Sequence, residues 1–143
     1  MSISENIKAV EAKVAAAAER SGRKREDILL LAVSKTKPVE TIREAVESGL
    51  LALGENKVQE IMEKYEPMAA YAPEGERIHW HLIGHLQTNK VKYIIDKVDM
   101  IHSVDSRKLA DEIEKRAAAA GRVMDILVEV NMADEESKFA VKP

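Results

Sequence analysis

A chain of 143 residues with net charge −3 and no cysteine has the size of one domain, lacks the basic surplus of a nucleic-acid binder, and offers neither disulfides nor thiol catalysis. Its 45% hydrophobic and 33% charged residues match an ordinary soluble composition. The longest apolar run, residues 28–33, is too short to cross a bilayer, and the opening MSISENIKAVEAK carries acids in place of an apolar signal core, which points to a cytoplasmic protein.

Ile3, Ile7, Val10, Val14 and Ala17 recur at helical spacing. Ser2 and Glu5 have the spacing of a capping box, in which each satisfies a backbone N–H at the helix start. Gly22 supplies a left-handed stop. ILLLAVS, residues 28–34, reads as a buried strand. A helix follows from Pro38, whose ring costs no hydrogen bond in a first turn; Val39, Ile42, Ala45 and Val46 form its apolar stripe and Gly49 ends it. LLALGE, 50–55, is a second strand. NKVQEIMEKYEPMAA, 56–70, is a helix interrupted near Pro67, and AYAPEGER, 70–77, is a surface loop. IHWHLIG, 78–84, is a third strand, and QTNKVKYIIDKV, 87–98, a helix with Val91, Ile94 and Ile95 inward. DMIHSVD, 99–105, is a fourth strand. SRKLADEIEKRAAAAG, 106–121, is a helix capped by Ser106 with Leu109, Ile113 and Ala117 on one face. MDILVEVNM, 124–132, is a fifth strand, and ADEESKFAVKP, 133–143, is loop-like.

One leading helix and an alternation of strand and helix predict an α/β fold with parallel crossovers. A single Phe and a single Trp among many aliphatic residues suit a parallel sheet buried on both faces. Two architectures meet that description, an open doubly wound sheet and a barrel. A nucleotide-binding open sheet favours a glycine-rich first turn; here that turn is Ser34-Lys35-Thr36-Lys37-Pro38, without glycine. The barrel is favoured, although a full (β/α)8 barrel has eight strands and this chain supplies five.

In parallel β/α proteins chemistry sits at the carboxyl ends of strands. Those ends carry Ser34 and Lys35; Gly54, Glu55 and Asn56; His81, Gly84 and His85; His102, Ser103 and Asp105; and Asn131 with Glu136, Ser137 and Lys138 beyond. Lys35 follows Ser34 and, before it, the five apolar residues 29–33. Burial among them would favour its neutral amine, a nucleophile toward aldehydes; the alternative is a lysine that snorkels to solvent. Lys37 reads as a solvated loop residue. His79 and His81 share a strand face, compatible with a metal pair completed by a group such as Asp105, or with one core and one surface histidine. HLQTNK is either an anion-binding helix start or a simple cap by Thr88.

Taken together, LLAVSKTKP, GENKVQE, WHLIGHLQTNK, IHSVD and VNMADEESKF resemble, in order, the successive signatures of the pyridoxal phosphate homeostasis proteins. That family is a single barrel similar to the N-terminal domain of alanine racemases. The resemblance covers essentially the whole chain and about the first three fifths of a complete barrel. It implies a (β/α)8 TIM-barrel-type fold of which residues 1–143 are a partial, cofactor-binding domain, truncated to the N-terminal part. It implies that Lys35 holds pyridoxal 5′-phosphate as a Schiff base and that Asn56 lies beside the cofactor. It also implies that His81 and the IGHLQTNK loop form the pocket wall, and that Asn131 and Ser137 form the polar end of the fifth strand.

The function so implied is a non-catalytic carrier. It would keep the free aldehyde low and deliver the cofactor to apoenzymes, with no nucleic acid or membrane partner. Racemases add a second domain with a tyrosine base; without it, two-base proton exchange lacks one base. The family's phosphate loop, its RIG-like segment and its arginine facing the pyridine nitrogen belong after the last strands, and none follows Pro143. Ala140 stands where the family usually shows glycine, which alters the turn after the fifth strand. A five-strand chain also leaves open strand edges, which favour self-association. A racemase-like enzyme and a fragment that binds no cofactor are the alternatives.

Overall fold

The first helix begins where its cap predicts. In the computed structural model, which describes residues 2–133 and 140–142, α1 spans Ile3–Arg20. The Ser2 N–H donates to Glu5 Oε2 at 2.9 Å and the Glu5 N–H to Ser2 Oγ at 3.1 Å, a complete capping box. Besides two 3₁₀ turns at Arg25–Asp27 and Thr88–Lys90, the remaining elements are β1 (Ala32–Val33), α2 (Val39–Glu47), β2 (Ala52–Glu55), α3 (Val58–Ala69), β3 (His79–Leu82), α4 (Val91–Ile94), β4 (Val98–Val104), α5 (Arg107–Ala119) and β5 (Asp125–Val128). Ser106 Oγ accepts the Leu109 N–H at 3.1 Å and starts α5 as expected.

All four strand pairings are parallel, and the sheet order is β1-β2-β3-β4-β5. Each strand lies beside its sequence neighbour. A doubly wound sheet reverses direction at a switch point, whereas a barrel adds strands in succession. The order therefore places the five strands as a run of β/α-barrel units. Ala32 sits opposite Leu53 and Val33 opposite Gly54, while Gly54 faces His81 and Glu55 faces Leu82.

Helices α2 to α5 cover one sheet face. Leu53, Trp80, Leu82 and Ile101 from the strands meet Ile42, Val46, Ile61, Met68, Ile94, Leu109 and Ile113 from the helices, all buried. The opposite face is only partly covered, so the expectation of burial on both faces holds for the helix side alone. Val33 is 52% exposed and Val128 56%, because among the described residues β1 and β5 each pair with one neighbouring strand.

Several local expectations change: the helix read over 87–98 forms only α4 at Val91–Ile94 after a 3₁₀ turn, and the strand read over 124–132 only Asp125–Val128. The apolar run 28–34 contributes only two residues to the ladder, and Leu29 is largely exposed; a ladder forms only where a partner strand runs alongside. The helix at 58–69 continues through Pro67. Proline removes one bond to the residue four before it, and only two residues of α3 follow. Thr88 begins a 3₁₀ turn at Thr88–Lys90 with no side-chain cap bond, and the position before that turn is Gln87.

Leu53 is 1% exposed at the centre of this layer. Leu53→Ala is expected to destabilise the fold by about 2–5 kcal/mol through the cavity left behind. The 94%-exposed Val123, changed to Ala, is expected to shift stability by less than about 0.5 kcal/mol. Urea unfolding of both variants measures the contrast.

Candidate functional site

The turn between β1 and α2 is built from both sides of Lys35. Ser34 is buried, and its N–H donates to Gly54 O at 3.0 Å. Its hydroxyl donates to Glu55 Oε1 at 2.8 Å. The Lys37 N–H returns to Ser34 O at 3.2 Å and closes the turn. At the apex Thr36 has φ +63°, the left-handed region that a β-branched residue rarely enters. Lys35 itself is exposed. The apolar enclosure expected from residues 29–33 does not form around it, because the strand that carries it is a short, half-open edge.

Beneath the turn lies a buried ionic cluster. Lys64, on the inward stripe of α3 between Ile61 and Met68, is 6% exposed, and Glu55 at the end of β2 is fully buried. Lys64 Nζ donates to Ser34 O at 3.0 Å, Glu55 Oε1 at 2.6 Å and Glu60 Oε2 at 2.9 Å. An ammonium has three donors, and each has an acceptor here. Glu60 Oε2 also accepts the Thr36 N–H at 2.9 Å. Burial acts to lower the Lys64 pKa, but its hydrogen bonds to Glu55 and Glu60 outweigh it and the pKa is raised. Glu60 is held below the usual carboxyl value by its bonds from Lys64 and Thr36. Burial pushes Glu55 up against the opposing pull of Lys64 and Ser34, and Glu55 Oε2 has no hydrogen-bond partner among the described residues.

The next strand ends are locked together at Gly84. A Cβ there would stand 2.5 Å from Asn56 O and 2.8 Å from Asn56 Cα, so only glycine admits the Asn56 backbone this closely. The Gly84 carbonyl accepts the Ser103 hydroxyl at 2.5 Å. The ends of β2, β3 and β4 are thereby joined. Asn56, half-buried, lines a cavity of about 530 Å³ with Gln59, His85, Gln87, Lys90 and Tyr93. Lys35 does not line it; the lysine and the asparagine share one end of neighbouring strands but not this cavity.

The strand histidines diverge. His79 Nδ1 lies 2.5 Å from Asp99 Oδ2, and Arg77 grips the same carboxylate with two bonds of 2.9 and 3.0 Å. His81 is buried, with Nδ1 2.9 Å from His102 Nε2. Asp105 pairs with His85 at 3.0 Å. Among the described residues no group of three or more histidine, aspartate or glutamate side chains could hold a metal ion. The Asn131 N–H donates to Val141 O at 2.7 Å just past β5. Ser137, with Glu136 and Lys138, lies outside the described residues.

The strand-end rule found Ser34 and Glu55 as polar ends but missed Lys64 and Glu60. The signal was present: Lys64 interrupts the Ile61–Met68 apolar stripe of α3 and stands four residues after Glu60, ion-pair spacing on a helix.

No family model matches the chain. The pyridoxal phosphate homeostasis protein of Aquifex aeolicus is 46% identical over 143 residues, which is 100% of this chain and 60% of that protein. The Escherichia coli K12 protein of the same name is 37% identical over 98% of this chain and 59% of its own length. The chain thus spans about 60% of the curated relatives it matches. Among solved structures, an unknown protein from Bifidobacterium adolescentis superposes with a TM-score of 0.86 at 38% identity, covering 99% of this chain and 59% of that one. PipY of Synechococcus elongatus without PLP gives 0.82 at 30% identity, over 99% of this chain and 59% of PipY. PipY with PLP bound gives 0.71 at 33%, over 93% and 58%. Among the described residues no helix is long and apolar enough to cross a membrane.

The His81–His102 contact makes stability depend on pH. Burial, then the charge of the neighbouring ring, lowers the His81 pKa; burial lowers that of His102. The unfolded chain therefore takes up these protons first as pH falls. The stabilising contribution is complete above the unfolded value of about 6.5 and is lost as pH falls through the folded values. The thermal midpoint is expected to drop between about pH 7.5 and 5, and His102→Gln to flatten that drop. A midpoint unchanged or rising over this window would contradict the assignment.

Proposed function

The chain belongs to the pyridoxal phosphate homeostasis proteins, and we propose that it binds pyridoxal 5′-phosphate through Lys35 and serves as a carrier of the cofactor, not as a catalyst. In this reading residues 1–143 act as a partial barrel domain. One observation carries it: a primary amine stands exposed at the carboxyl end of β1, in a turn whose residues on both sides are pinned. An aldehyde needs such an amine within reach, and the Lys35 amine adds to its carbon while the aldehyde oxygen leaves as water. The names of the curated relatives and the PLP held by PipY support the ligand.

The residues present fit the aldehyde side of the group, and none of them is assigned to its phosphate. Lys35 supplies the amine. Asn56, at the next strand end and held by its contact with Gly84, supplies an amide for the ring side. Asn131, just past β5, stands at the polar end in this reading; Ser137, outside the described residues, is assigned there by the family resemblance alone. His81, whose Nδ1 contacts His102, supports the wall behind it without donating to the ligand from that nitrogen. The carrier role rests on reversible capture at Lys35 and on delivery to apoenzymes that use the same cofactor.

The β1 edge and the β5 edge up to Val128, beyond which Val141 pairs with residues 129–131, take a second polypeptide in the same reading, through the exposed Val33, Leu127 and Val128. Sedimentation is expected to show association; a monodisperse monomer at all concentrations would overturn that part.

Titration of the protein with pyridoxal 5′-phosphate is expected to raise a visible band. Borohydride is expected to fix the adduct on Lys35, with band and adduct lost in Lys35→Ala. An equal band in the variant, or none in the wild type, would overturn the assignment. Racemisation of an amino acid by the loaded protein would overturn the carrier reading while leaving Lys35 in place.

A further inference from the structure

We propose that Glu60 and Lys64 are positioning residues for Lys35: from α3 they fix the backbone on either side of it and so set where its amine stands. The proposal rests on Lys35 being the cofactor lysine, and it reaches two residues that touch no ligand.

Three features converge on the turn. The first is the direction of the Lys64 bonds. Taking an ammonium out of water is costly unless its partners are well placed, and a hydrophobic residue would fill the gap between Ile61 and Met68. Lys64 stands there instead, and one of its three bonds goes to a main-chain oxygen, that of Ser34. The second is Glu60. It joins Lys64 at 2.9 Å and takes the Thr36 N–H with the same oxygen. The residues immediately before and after Lys35 are thus tied to one ion pair. The third is Thr36 at φ +63°. A non-glycine residue in this region persists where its surroundings over-determine it, and Glu60 binds the amide of that residue.

Stability alone requires an acceptor for each of the three ammonium donors; it does not require that the cluster hold the two residues that flank Lys35. Pairing Lys64 with Glu55 at 2.6 Å already neutralises the buried charge. The bonds to Ser34 O and Thr36 N–H act on the turn, and the turn carries an exposed amine.

Glu60 allows a test without opening the core, since its side chain is 19% exposed and Lys64 keeps Glu55 and Ser34 when it is removed. In Glu60→Ala, amide hydrogen exchange at Thr36 is expected to speed up about tenfold, the scale of losing one hydrogen bond to a charged group. The rate of borohydride trapping of pyridoxal 5′-phosphate on Lys35 is expected to fall severalfold, with circular dichroism unchanged. Glu60→Gln keeps an oxygen for the Thr36 N–H and is expected to restore most of both. Faster exchange at Thr36 with trapping at the wild-type rate would overturn the proposal, as would wild-type exchange in Glu60→Ala. If wild-type protein traps nothing on Lys35, the cofactor reading fails separately. Positioning is then decided by acetylation of Lys35 with a succinimidyl ester, read by peptide mass spectrometry. A rate altered in Glu60→Ala and restored in Glu60→Gln upholds it, and equal rates overturn it.

Discussion

The site end of the molecule depends on one buried ammonium. Lys64 binds the Ser34 carbonyl just past β1, the carboxylate that ends β2 and a carboxylate in the first turn of its own helix. The ends of two paired strands and the helix packed against them are joined at a single atom with fixed geometry. An apolar residue could fill the same volume, and such replacements are often neutral or stabilising in a core. It could not hold a main-chain oxygen in place. Glu60 extends the hold to the far side of the turn, so Lys35 projects from a backbone with little freedom on either side.

The same logic continues around the strand ends. Gly84 admits the Asn56 backbone to a distance no side chain would allow, and its carbonyl is taken by Ser103. The carboxyl ends of β1 to β4 are thus joined pairwise, by an ion pair, a glycine contact and a hydroxyl. The helix-facing side of the sheet is filled by residues such as Trp80 and Ile61, while Val33 and Val128 on the outer strands remain open to solvent. Rigidity is concentrated at the end where a β/α barrel does its chemistry, and exposure at the lateral edges. That division agrees with a chain that spans about 60% of its curated relatives.

Much of the fold was legible because its signals are local. The Ser2–Glu5 box, the Ser106 cap and the Leu109, Ile113 and Ala117 stripe involve residues a few positions apart, and each took the predicted form. The alternation of strand and helix fixed the parallel pairing. The missing glycine in the first turn favoured a barrel, and the strand order settled it. What was not legible depends on distant partners. Residues 28–31 are as apolar as a strand requires, yet a ladder needs a neighbour and only Ala32 and Val33 have one. His79 and His81 share a strand parity, but one turns to Asp99 and the other to His102. Only the Glu60 partner of Lys64 is marked by local spacing; its acceptors Ser34 and Glu55 come from other elements and leave no mark in the helix. The left-handed Thr36 has no sequence mark, since its conformation is supported by Glu60, far along the chain.

A crystal structure of the protein reduced with borohydride in the presence of pyridoxal 5′-phosphate tests the account most directly. It is predicted to show continuous density from Lys35 Nζ to the pyridine ring, with Lys64 still on Ser34 O and Thr36 still left-handed. An adduct on another lysine, or one on Lys35 with the Ser34 carbonyl swung away from Lys64, would contradict it.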